Sequence, residues 1–407
     1  MSEVERITAY AVFLASYLVF ALGKFPGMKI DRPGAAIIGA VAMVAVHALQ
    51  PQEALRLVDF STIVLLFSMM LLVAYLHLAG FFEWFTDFAA GRLHPHHLLP
   101  MVIFTSGILS AFFVNDIICL VMVPFALNVS RRMGVRPLPY LLAVATASNI
   151  GSVATITGNP QNMLIGAMSG IPYLRFLLYL GPVAVAGLML NWLLLWLMFF
   201  RRGPQRDLVT LRGAPRKVNR VALIKPGVVM LGVLVGFLAG VPPALAAAAG
   251  AAVMLISRTR DPRKVYEEVD WGLLVFFVGL FVIVGGAEKA GLVSDLFSVG
   301  SAWNLHHPAV FTVVTAAFSN LVSNVPAVML LKSLVPNFSN PEAGWLLLAM
   351  ASTLAGNLTI TGSVANIIVV ETAREEVPIS FFDYFRVGLP LTLLTLLVGG
   401  LWLAWVT

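Results

Sequence analysis

The chain has 407 residues, of which 59% are hydrophobic and 11% are charged. Soluble domains carry roughly 25% charged residues, so this composition excludes a soluble globular protein and indicates a polytopic membrane protein. The formal net charge of +6 does not indicate nucleic-acid binding, because the basic residues lie in short loops between apolar runs, as they do in membrane proteins.

The apolar runs fall into two series with the same succession of long and short members. A membrane-spanning helix needs about 20 apolar residues, and the first half offers runs at 7–23, 34–50, 60–80, 98–130, 138–170 and 176–200. The second half offers runs at 226–240, 242–257, 271–287, 308–331, 343–370 and 387–406. The matching succession predicts an internal repeat. The first run is expected to be a retained span, because no small-residue cleavage site follows it.

The fifth run of each half is interrupted by a polar stretch. The first stretch is SNIGSVATITGNPQN at 148–162, and the second is AGNLTITGSVAN at 355–366. The tetrapeptide TITG occurs in both, and an Asn follows each copy four residues after its Gly. Non-helical backbone at membrane depth is tolerated only where it lines an enclosed cavity. Paired breaks of this kind are typical of the binding site of a secondary transporter.

Further anchors support the repeat and predict its correspondence. VDF at 58–60 and VDW at 269–271 each open a third run, and Ser110 precedes Asn115 by the same spacing as Ser319 precedes Asn324. The sixth runs follow IPYLRF at 171–176 and VPISFF at 377–382. The two breaks align if GSVA at 151–154 is an insertion in the first copy.

The fourth runs are predicted to be re-entrant hairpins, with tips at FVND in the first half and VSNVP in the second. The alternative is an ordinary helix kinked at Pro124 or Pro326. With hairpins, each half crosses the membrane five times and the halves have opposite topology. Most Lys and Arg side chains then lie inside, and the outside keeps chiefly Arg56, Arg175, Lys289 and Lys332, as the positive-inside rule requires.

The predicted fold is therefore an all-α polytopic membrane protein with two inverted-topology repeats. Each repeat has five spans, including one broken helix, and one re-entrant hairpin. The repeats cover residues 1–200 and 226–407, and a basic linker at 201–225 joins them. The linker is predicted to be cytoplasmic and both termini to lie outside, in the cytoplasmic (inner) membrane.

The predicted binding site consists of the polar residues at the two breaks and the two hairpin tips. Free N–H groups at a half-helix N-terminus favour an anion or a ligand oxygen, and the free carbonyls of the preceding half-helix suit sodium. The site residues are Asn115, Asp116, Asn149, Thr155, Thr157, Gly158, Asn159, Asn162, Asn324, Asn357, Thr359, Thr361, Gly362, Ser363 and Asn366. Each of these residues has an alternative role as a helix cap or an interhelical hydrogen bond.

Asp116 is the only acidic residue between Arg92 and Arg131, and it lies at the tip of the first hairpin. A carboxylate at membrane depth is a candidate proton relay or cation ligand. The alternative is that the tip reaches water and Asp116 caps the following helix. Asp59 and Asp270, at the starts of spans, are predicted to be N-caps. Cys119 is predicted to be a packing residue.

The motifs resemble those of the ion transporter superfamily, which holds arsenite-efflux permeases, D-type sodium/proton antiporters and divalent anion:sodium symporters. The stretch at 148–162 resembles that superfamily's first broken helix. FVNDIICLVMVPF resembles the first-hairpin motif of the arsenical pump membrane proteins, and SNLVSNVPAVMLL is similar to their second-hairpin motif. The resemblance covers essentially the whole chain. It implies a scaffold region, which dimerises in several relatives, and a transport region that moves in an elevator-like step.

Together these observations predict an ion-coupled secondary transporter of a small oxyanion or weak acid, similar to the arsenite permeases. The alternatives are a sodium-coupled di- or tricarboxylate symporter and a passive channel. An enzyme is not predicted, because HExxH and GxSxG motifs are absent from the sequence. No cofactor is expected beyond a proton or sodium as coupling ion. The expected partners are the substrate, the lipid bilayer and a second copy of the chain; a separate ATPase subunit stays open.

Overall fold

The fold is all-helical. The computed structural model describes residues 2–23, 28–82, 84, 97–201, 221–256, 261–292, 294–295, 298 and 304–407. These ranges contain eighteen α-helices, five of which are long and apolar enough to cross a membrane: Glu3–Leu22, Phe60–Leu78, Tyr173–Phe200, Trp271–Lys289 and Phe381–Val406. Six shorter apolar helices accompany them. The polytopic all-α class is confirmed. Most of the linker, 202–220, lies outside the described residues.

In the described ranges, each half contains nine α-helices in the same order. Those of the first half are α1 Glu3–Leu22, α2 Arg32–Ala45, α3 Pro51–Leu57, α4 Phe60–Leu78, α5 Leu98–Phe112, α6 Asn115–Arg132, α7 Leu138–Ser152, α8 Pro160–Ser169 and α9 Tyr173–Leu195. Those of the second half are α10 Val221–Leu238, α11 Pro243–Leu255, α12 Pro262–Glu267, α13 Trp271–Lys289, α14 Pro308–Val322, α15 Asn324–Leu331, α16 Pro341–Ala355, α17 Val364–Ala373 and α18 Phe381–Val406. The short helices α3 and α12 were not expected from the apolar runs.

The helix starts follow from local capping chemistry. The Asp59 carboxylate accepts a hydrogen bond from the Thr62 N–H at 3.0 Å, and Asp270 accepts one from the Leu273 N–H at 2.9 Å. Both carboxylates satisfy backbone donors that the first turn leaves free. The predicted N-cap roles of Asp59 and Asp270 are therefore confirmed, and the VDF and VDW anchors mark the starts of α4 and α13.

Both predicted interruptions are present in both halves. In the fourth runs, α5 and α6 are separated at residues 113–114, and α14 and α15 at Ser323, whose φ is 80°. Pro124 lies inside α6 and Pro326 inside α15, so neither marks the interruption. In the fifth runs, residues 153–159 separate α7 from α8, and residues 356–363 separate α16 from α17. Whether the fourth runs re-enter on one membrane face stays a prediction.

The expected insertion of GSVA in the first break is wrong. Helices α7 and α16 both have 15 residues, and α8 and α17 both have 10. The difference between the halves lies earlier, because α6 has 18 residues and its counterpart α15 has 8. The extra residues lengthen the second arm of the first hairpin, and the two breaks align without a gap of four.

Helix contacts occur in counterpart pairs. Helix α2 packs on α13 as α11 packs on α4, α5 packs on α7 as α14 packs on α16, and α6 packs on α17 as α15 packs on α8. This exchange of roles is what the predicted two-fold relation between the halves would produce. Most contacts lie within two groups, which are called the scaffold group (α1–α4 with α10–α13) and the core group (α5–α9 with α14–α18). The orientation of the halves across a membrane stays a prediction.

One close approach fixes the core group. A Cβ atom added at Gly151 on α7 would lie 2.0 Å from the Gly107 carbonyl oxygen on α5. Only a glycine therefore lets the backbones of these helices come so near. The approach places the first hairpin against the end of α7, where the first break begins.

Candidate functional site

Equivalent asparagines form hydrogen bonds across the two breaks. The Asn162 Nδ2 donates to the Ser152 and Thr155 carbonyls, both at 3.0 Å. The Asn366 Nδ2 donates to the Gly356 carbonyl at 2.6 Å and to the Thr359 carbonyl at 3.0 Å. Each amide satisfies carbonyls that the interrupted helix leaves free. The two residues therefore share a structural role, in which their amide nitrogens are already occupied.

A buried cluster centred on Asn149 joins both halves. The Asn149 Nδ2 donates to the Asn357 Oδ1 at 3.0 Å and to the Asn366 Oδ1 at 2.9 Å. Its Oδ1 accepts from the Asn115 Nδ2 at 3.1 Å and from the Ser363 Oγ at 3.0 Å. All five side chains are buried. This set, the Asn149 cluster, brings one hairpin tip and both broken helices to a single point.

A second cluster forms around Thr353 on α16, and it includes residues that the sequence analysis missed. The Thr353 Oγ1 accepts from the Asn159 Nδ2 at 3.3 Å and from the Gln161 Nε2 at 3.2 Å. It donates to the Asn162 Oδ1 at 3.4 Å. Asn162 thus belongs to this Thr353 cluster. Asn357 and Asn366 belong to the Asn149 cluster, because both bond directly to Asn149.

The two clusters are related by the repeat. Asn149 lies six residues before the first Thr of its TITG, and Thr353 lies six residues before the first Thr of the other copy. Asn149 contacts Ser363 and Asn366 of the second break, as Thr353 contacts Asn159 and Asn162 of the first. The only sequence signal for Thr353 is this spacing, which the supposed insertion had obscured.

The threonines fasten each break to the first arm of its own hairpin. Thr155 donates to the Ala111 carbonyl, and Thr359 donates to the Asn320 Oδ1 at 3.2 Å. Thr157 is within 2.9 Å of the Tyr173 hydroxyl. Thr361 is exposed, and its contact is with Thr359 at 3.4 Å. Thr155, Thr157 and Thr359 thus link the breaks to neighbouring helices. Within the described residues, Thr361 makes no hydrogen bond to either cluster.

Each hairpin tip bonds to the TITG glycine of its own half. The backbone N–H of Asn115 donates to the Gly158 carbonyl at 3.0 Å. The Asn324 amide satisfies both of its ends when its nitrogen faces the Gly362 carbonyl at 3.2 Å and its oxygen accepts from the Gln161 Nε2 at 3.2 Å. This orientation is assigned from the hydrogen-bond pattern. Asn324 then joins the Thr353 cluster, as Asn115 joins the Asn149 cluster.

The two tips differ in their free oxygen atoms. In the second hairpin the Ser319 Oγ accepts from the Asn324 nitrogen in this orientation, at 2.6 Å. The equivalent Ser110 Oγ and Asn115 Oδ1 have no hydrogen-bond partner in the part of the chain that the structure describes, although both are buried. A buried polar atom without a partner is costly, so these two atoms are candidates to bind a ligand, an ion or water.

Asp116 adds a carboxylate beside these free oxygens. It lies in the first turn of α6 and is partly exposed, and within the described ranges its side chain makes no hydrogen bond or ion pair. Its counterpart Val325 cannot ionise. Cys119, one turn further, is buried with its Sγ 3.0 Å from the Ser148 Oγ, which fits the predicted packing role. The described residues contain no group of three His, Cys, Asp or Glu that could hold a metal ion.

Comparisons with known proteins agree over nearly the whole length. A family model described as citrate transporter matches residues 17–355. The 46 kDa membrane protein of Mycobacterium leprae is 29% identical over 98% of both chains. The silicon efflux transporter LSI3 of Oryza sativa subsp. japonica is 30% identical over 96% of this chain and 95% of the relative.

Two further matches bear on the fold and the relationship. The putative transporter arsB of Dictyostelium discoideum is 26% identical over 98% of this chain and 92% of the relative. Among solved structures, the crystal structure of the Alcanivorax borkumensis YdaH transporter matches with a TM-score of 0.57 and 15% identity. It covers 99% of this chain and 98% of that chain, and at this identity the likeness is one of fold.

Proposed function

The chain belongs to the citrate transporter family, and from that premise we propose that it is an ion-coupled secondary transporter of a small oxyanion or weak acid. The observation that carries the proposal is the Asn149 cluster, in which one buried side chain bonds to residues of both halves and of the first hairpin tip. A site at the junction of two repeats can change its access when one group of helices moves against the other.

The chemistry of the two clusters favours a small neutral or weakly charged substrate with hydroxyl groups. Their side chains are amides and hydroxyls, which both donate and accept hydrogen bonds. No Lys or Arg belongs to either cluster in the described residues. A fully ionised substrate at membrane depth needs a compensating charge, whereas the protonated form of a weak acid does not. Arsenite and silicate fit this description.

The names of relatives agree with this class of substrate. The rice relative is named for silicon efflux and the Dictyostelium relative is named arsB. Silicic and arsenious acids are both small hydroxylated weak acids that are neutral near pH 7. The proposed activity is therefore similar to that of the arsenite permeases. The proposed mechanism is an elevator-type movement of the core group against the scaffold group.

The coupling ion is proposed to bind at the first hairpin tip. The Ser110 Oγ and the Asn115 Oδ1 are free, and the Asp116 carboxylate follows directly. Oxygen ligands and a carboxylate suit sodium, and the same carboxylate can take up and release a proton. The equivalent oxygens of the second tip both have partners, because the Ser319 Oγ accepts from the Asn324 nitrogen and the Asn324 oxygen accepts from the Gln161 Nε2. The first tip is therefore proposed to bind the coupling ion, and the second tip to have a structural role.

A second candidate function is sodium-coupled uptake of a di- or tricarboxylate. It is favoured by the description of the matched family, citrate transporter. It requires cations to neutralise the substrate, and two sodium ions bound at the breaks would supply them. The two candidates differ in which substrate moves and in whether sodium is obligatory.

The test is transport into membrane vesicles under imposed proton and sodium gradients. The substrates are arsenite, silicate, phosphate, sulfate, citrate and succinate, each in tracer form. We expect saturable movement of arsenite or silicate that a gradient drives above equilibrium. Citrate or succinate uptake that depends on sodium would support the second candidate, and equilibration that ignores both gradients would indicate a passive channel.

The cellular arrangement follows as part of the proposal. We place the protein in the cytoplasmic membrane, with the basic linker at 201–225 inside and both termini outside. A homodimer through the scaffold group is proposed from the resemblance. The charge distribution of the loops supports the orientation.

A further inference from the structure

A cavity lies at the boundary between the two groups of helices. Its volume is about 230 Å³, and its walls come from the end of α3 and the two residues after it, from α8, from α13 and from the turn after α15. The charged residues that line it are Arg56, Asp59, Glu288 and Lys332. Drug-sized ligands occupy pockets of about 300–1,000 Å³, so this cavity has room for a small anion.

The cavity lies close to the two clusters. Met168 of its wall is six residues along α8 from Asn162, and Lys332 is eight residues from Asn324. At about 1.5 Å of rise per residue, these separations are about 9 Å and about 12 Å. Arg56 and Lys332 are also two of the four basic residues predicted to lie outside. The cavity is therefore placed as an outer vestibule to the proposed substrate site.

The two cations that line this cavity are only loosely paired with its two acids. The Lys332 ammonium lies 3.6 Å from the Glu288 carboxylate, although its side chain is only 15% exposed. A charge-assisted hydrogen bond is usually about 2.7–2.9 Å long, so this pair is loose. The Arg56 guanidinium is exposed and makes no hydrogen bond or ion pair within the described ranges. Asp59, the other acid, already caps α4.

We propose that this vestibule binds a small oxyanion or carboxylate between Arg56 and Lys332, with Glu288 displaced from Lys332 by the incoming anion. Arg presents a planar set of donors that matches a carboxylate or oxyanion, and Lys adds a point charge. The Lys332–Glu288 pair joins the core group to the scaffold group, so its exchange for an anion also releases a contact across the boundary. The inference rests on the proposed function only in taking the two clusters to be the substrate site beside which the cavity lies.

The test measures charge selectivity in the cavity without measuring transport. Met168→Cys is introduced in a Cys119→Ser background, and its rates of reaction with anionic sulfonate and cationic trimethylammonium methanethiosulfonates are compared. We expect the ratio of the anionic to the cationic reaction rate to be higher at position 168 than for a free thiol in solution. Citrate or sulfate should slow the anionic reaction. Arg56→Gln and Lys332→Gln should each lower this preference by up to about fivefold, the size of an exposed charge interaction.

Two further variants separate binding from a structural ion pair. Glu288→Gln should strengthen protection by citrate or sulfate, because it removes the competing carboxylate. Lys289→Gln is the matched control for Lys332→Gln, because it removes the same positive charge from a lysine that does not line the cavity and whose ammonium bonds to Glu53 at 2.6 Å. It should leave the preference unchanged.

Any of three results overturns the proposal. They are a preference for the cationic reagent, no reaction at Met168→Cys, and an equal preference in the Met168→Cys protein with and without Arg56→Gln or Lys332→Gln. Arg56→Gln alone decides the matter where Lys332→Gln does not fold, because Arg56 is exposed. A protein that transports substrate but shows no preference for the anionic reagent would refute the vestibule and leave the proposed function unaffected. Selectivity in a protein that transports none of the tested substrates would show an anion site that does not serve transport.

Discussion

At Asn149, one amide connects three segments that are far apart in the chain. It uses both of its ends, and its partners Asn115, Asn357 and Ser363 come from a hairpin tip and the opposite break. A small residue there would leave several buried polar atoms without partners. The residue therefore matters both for stability and for the shape of the proposed site.

The first prediction separates these two effects with Asn149→Ala and a matched control, Asn191→Ala. Asn191, on α9, is also fully buried, and its amide bonds to the Thr146 Oγ1 at 2.9 Å and to no side chain of either cluster. We expect each variant to lose about 1–2 kcal/mol of stability through unpaired polar groups. Only Asn149→Ala should raise the KM for substrate, by tenfold or more, about 1.4 kcal/mol.

Thermal unfolding in detergent and tracer exchange in liposomes measure the two effects. An equal change of KM in Asn149→Ala and Asn191→Ala would show that the Asn149 cluster is not part of the binding site.

The residues of the breaks could be predicted from sequence because polar runs are rare in apolar segments. Asn149, Asn357 and Asn366 are found in this way, and the structure brings them together. Thr353 could not be predicted by the same reasoning. A single Thr in an apolar helix usually bonds back to a carbonyl of its own helix, so nothing marks its cross-half contacts with Asn159 and Asn162.

At the scale of the elements, the interrupted helices depend on close backbone contacts. Gly151 lets α7 lie against α5, and Gly388 on α18 lies against the second break, where an added Cβ would be 2.3 Å from the Asn357 carbonyl oxygen. These contacts fix the positions of the breaks relative to the hairpins.

The second prediction is that Gly151→Ala is destabilising by about 2 kcal/mol, in the range of overpacked cores. The added methyl group would meet the Gly107 backbone, which cannot rotate away as a side chain can. Gly227→Ala on α10 is the control, because its Cβ would meet no atom within 4 Å. Thermal unfolding of both proteins in detergent checks the prediction, and similar melting temperatures would contradict it.

The element pattern was predictable where apolar length or a polar interruption marks it. Short helices were missed, because α3 and α12 have only 7 and 6 residues, too few to show a periodic pattern. The supposed insertion at Gly151–Ala154 was wrong because α7 and α16 have equal lengths, which the sequence does not reveal. The longer α6 shows in the sequence only as a longer fourth run, at 98–130 against 308–331.

At the scale of the whole molecule, counterpart contacts relate the halves, and the charged loops predict their orientation. The third prediction is that the basic linker is cytoplasmic and both termini are outside. Arg212→Cys and Thr407→Cys, each in a Cys119→Ser background, should differ in labelling by a membrane-impermeant thiol reagent in intact cells.

Position 407 should label without permeabilisation, and position 212 only after it. Labelling at 212 from outside would contradict the predicted orientation, and labelling at both positions from the same side would contradict an odd number of crossings in the second half.

Coupling is also a property of the whole molecule, because it requires the two halves to differ. They are alike in their amides and hydroxyls, and they differ at Asp116, whose counterpart is Val325. The free oxygens of Ser110 and Asn115 lie in the same hairpin tip. A single carboxylate there can bind the coupling ion in one state and release it in the other.

The most direct test compares wild type with Asp116→Asn in liposomes, scored for substrate exchange and for accumulation under a proton or sodium gradient. Asparagine keeps the size of the side chain and removes its charge. We predict that Asp116→Asn retains exchange, because the Asn149 and Thr353 clusters are intact, and loses gradient-driven accumulation. Full accumulation by Asp116→Asn would contradict the account, since the coupling ion would then bind elsewhere, at the carbonyls of the two breaks.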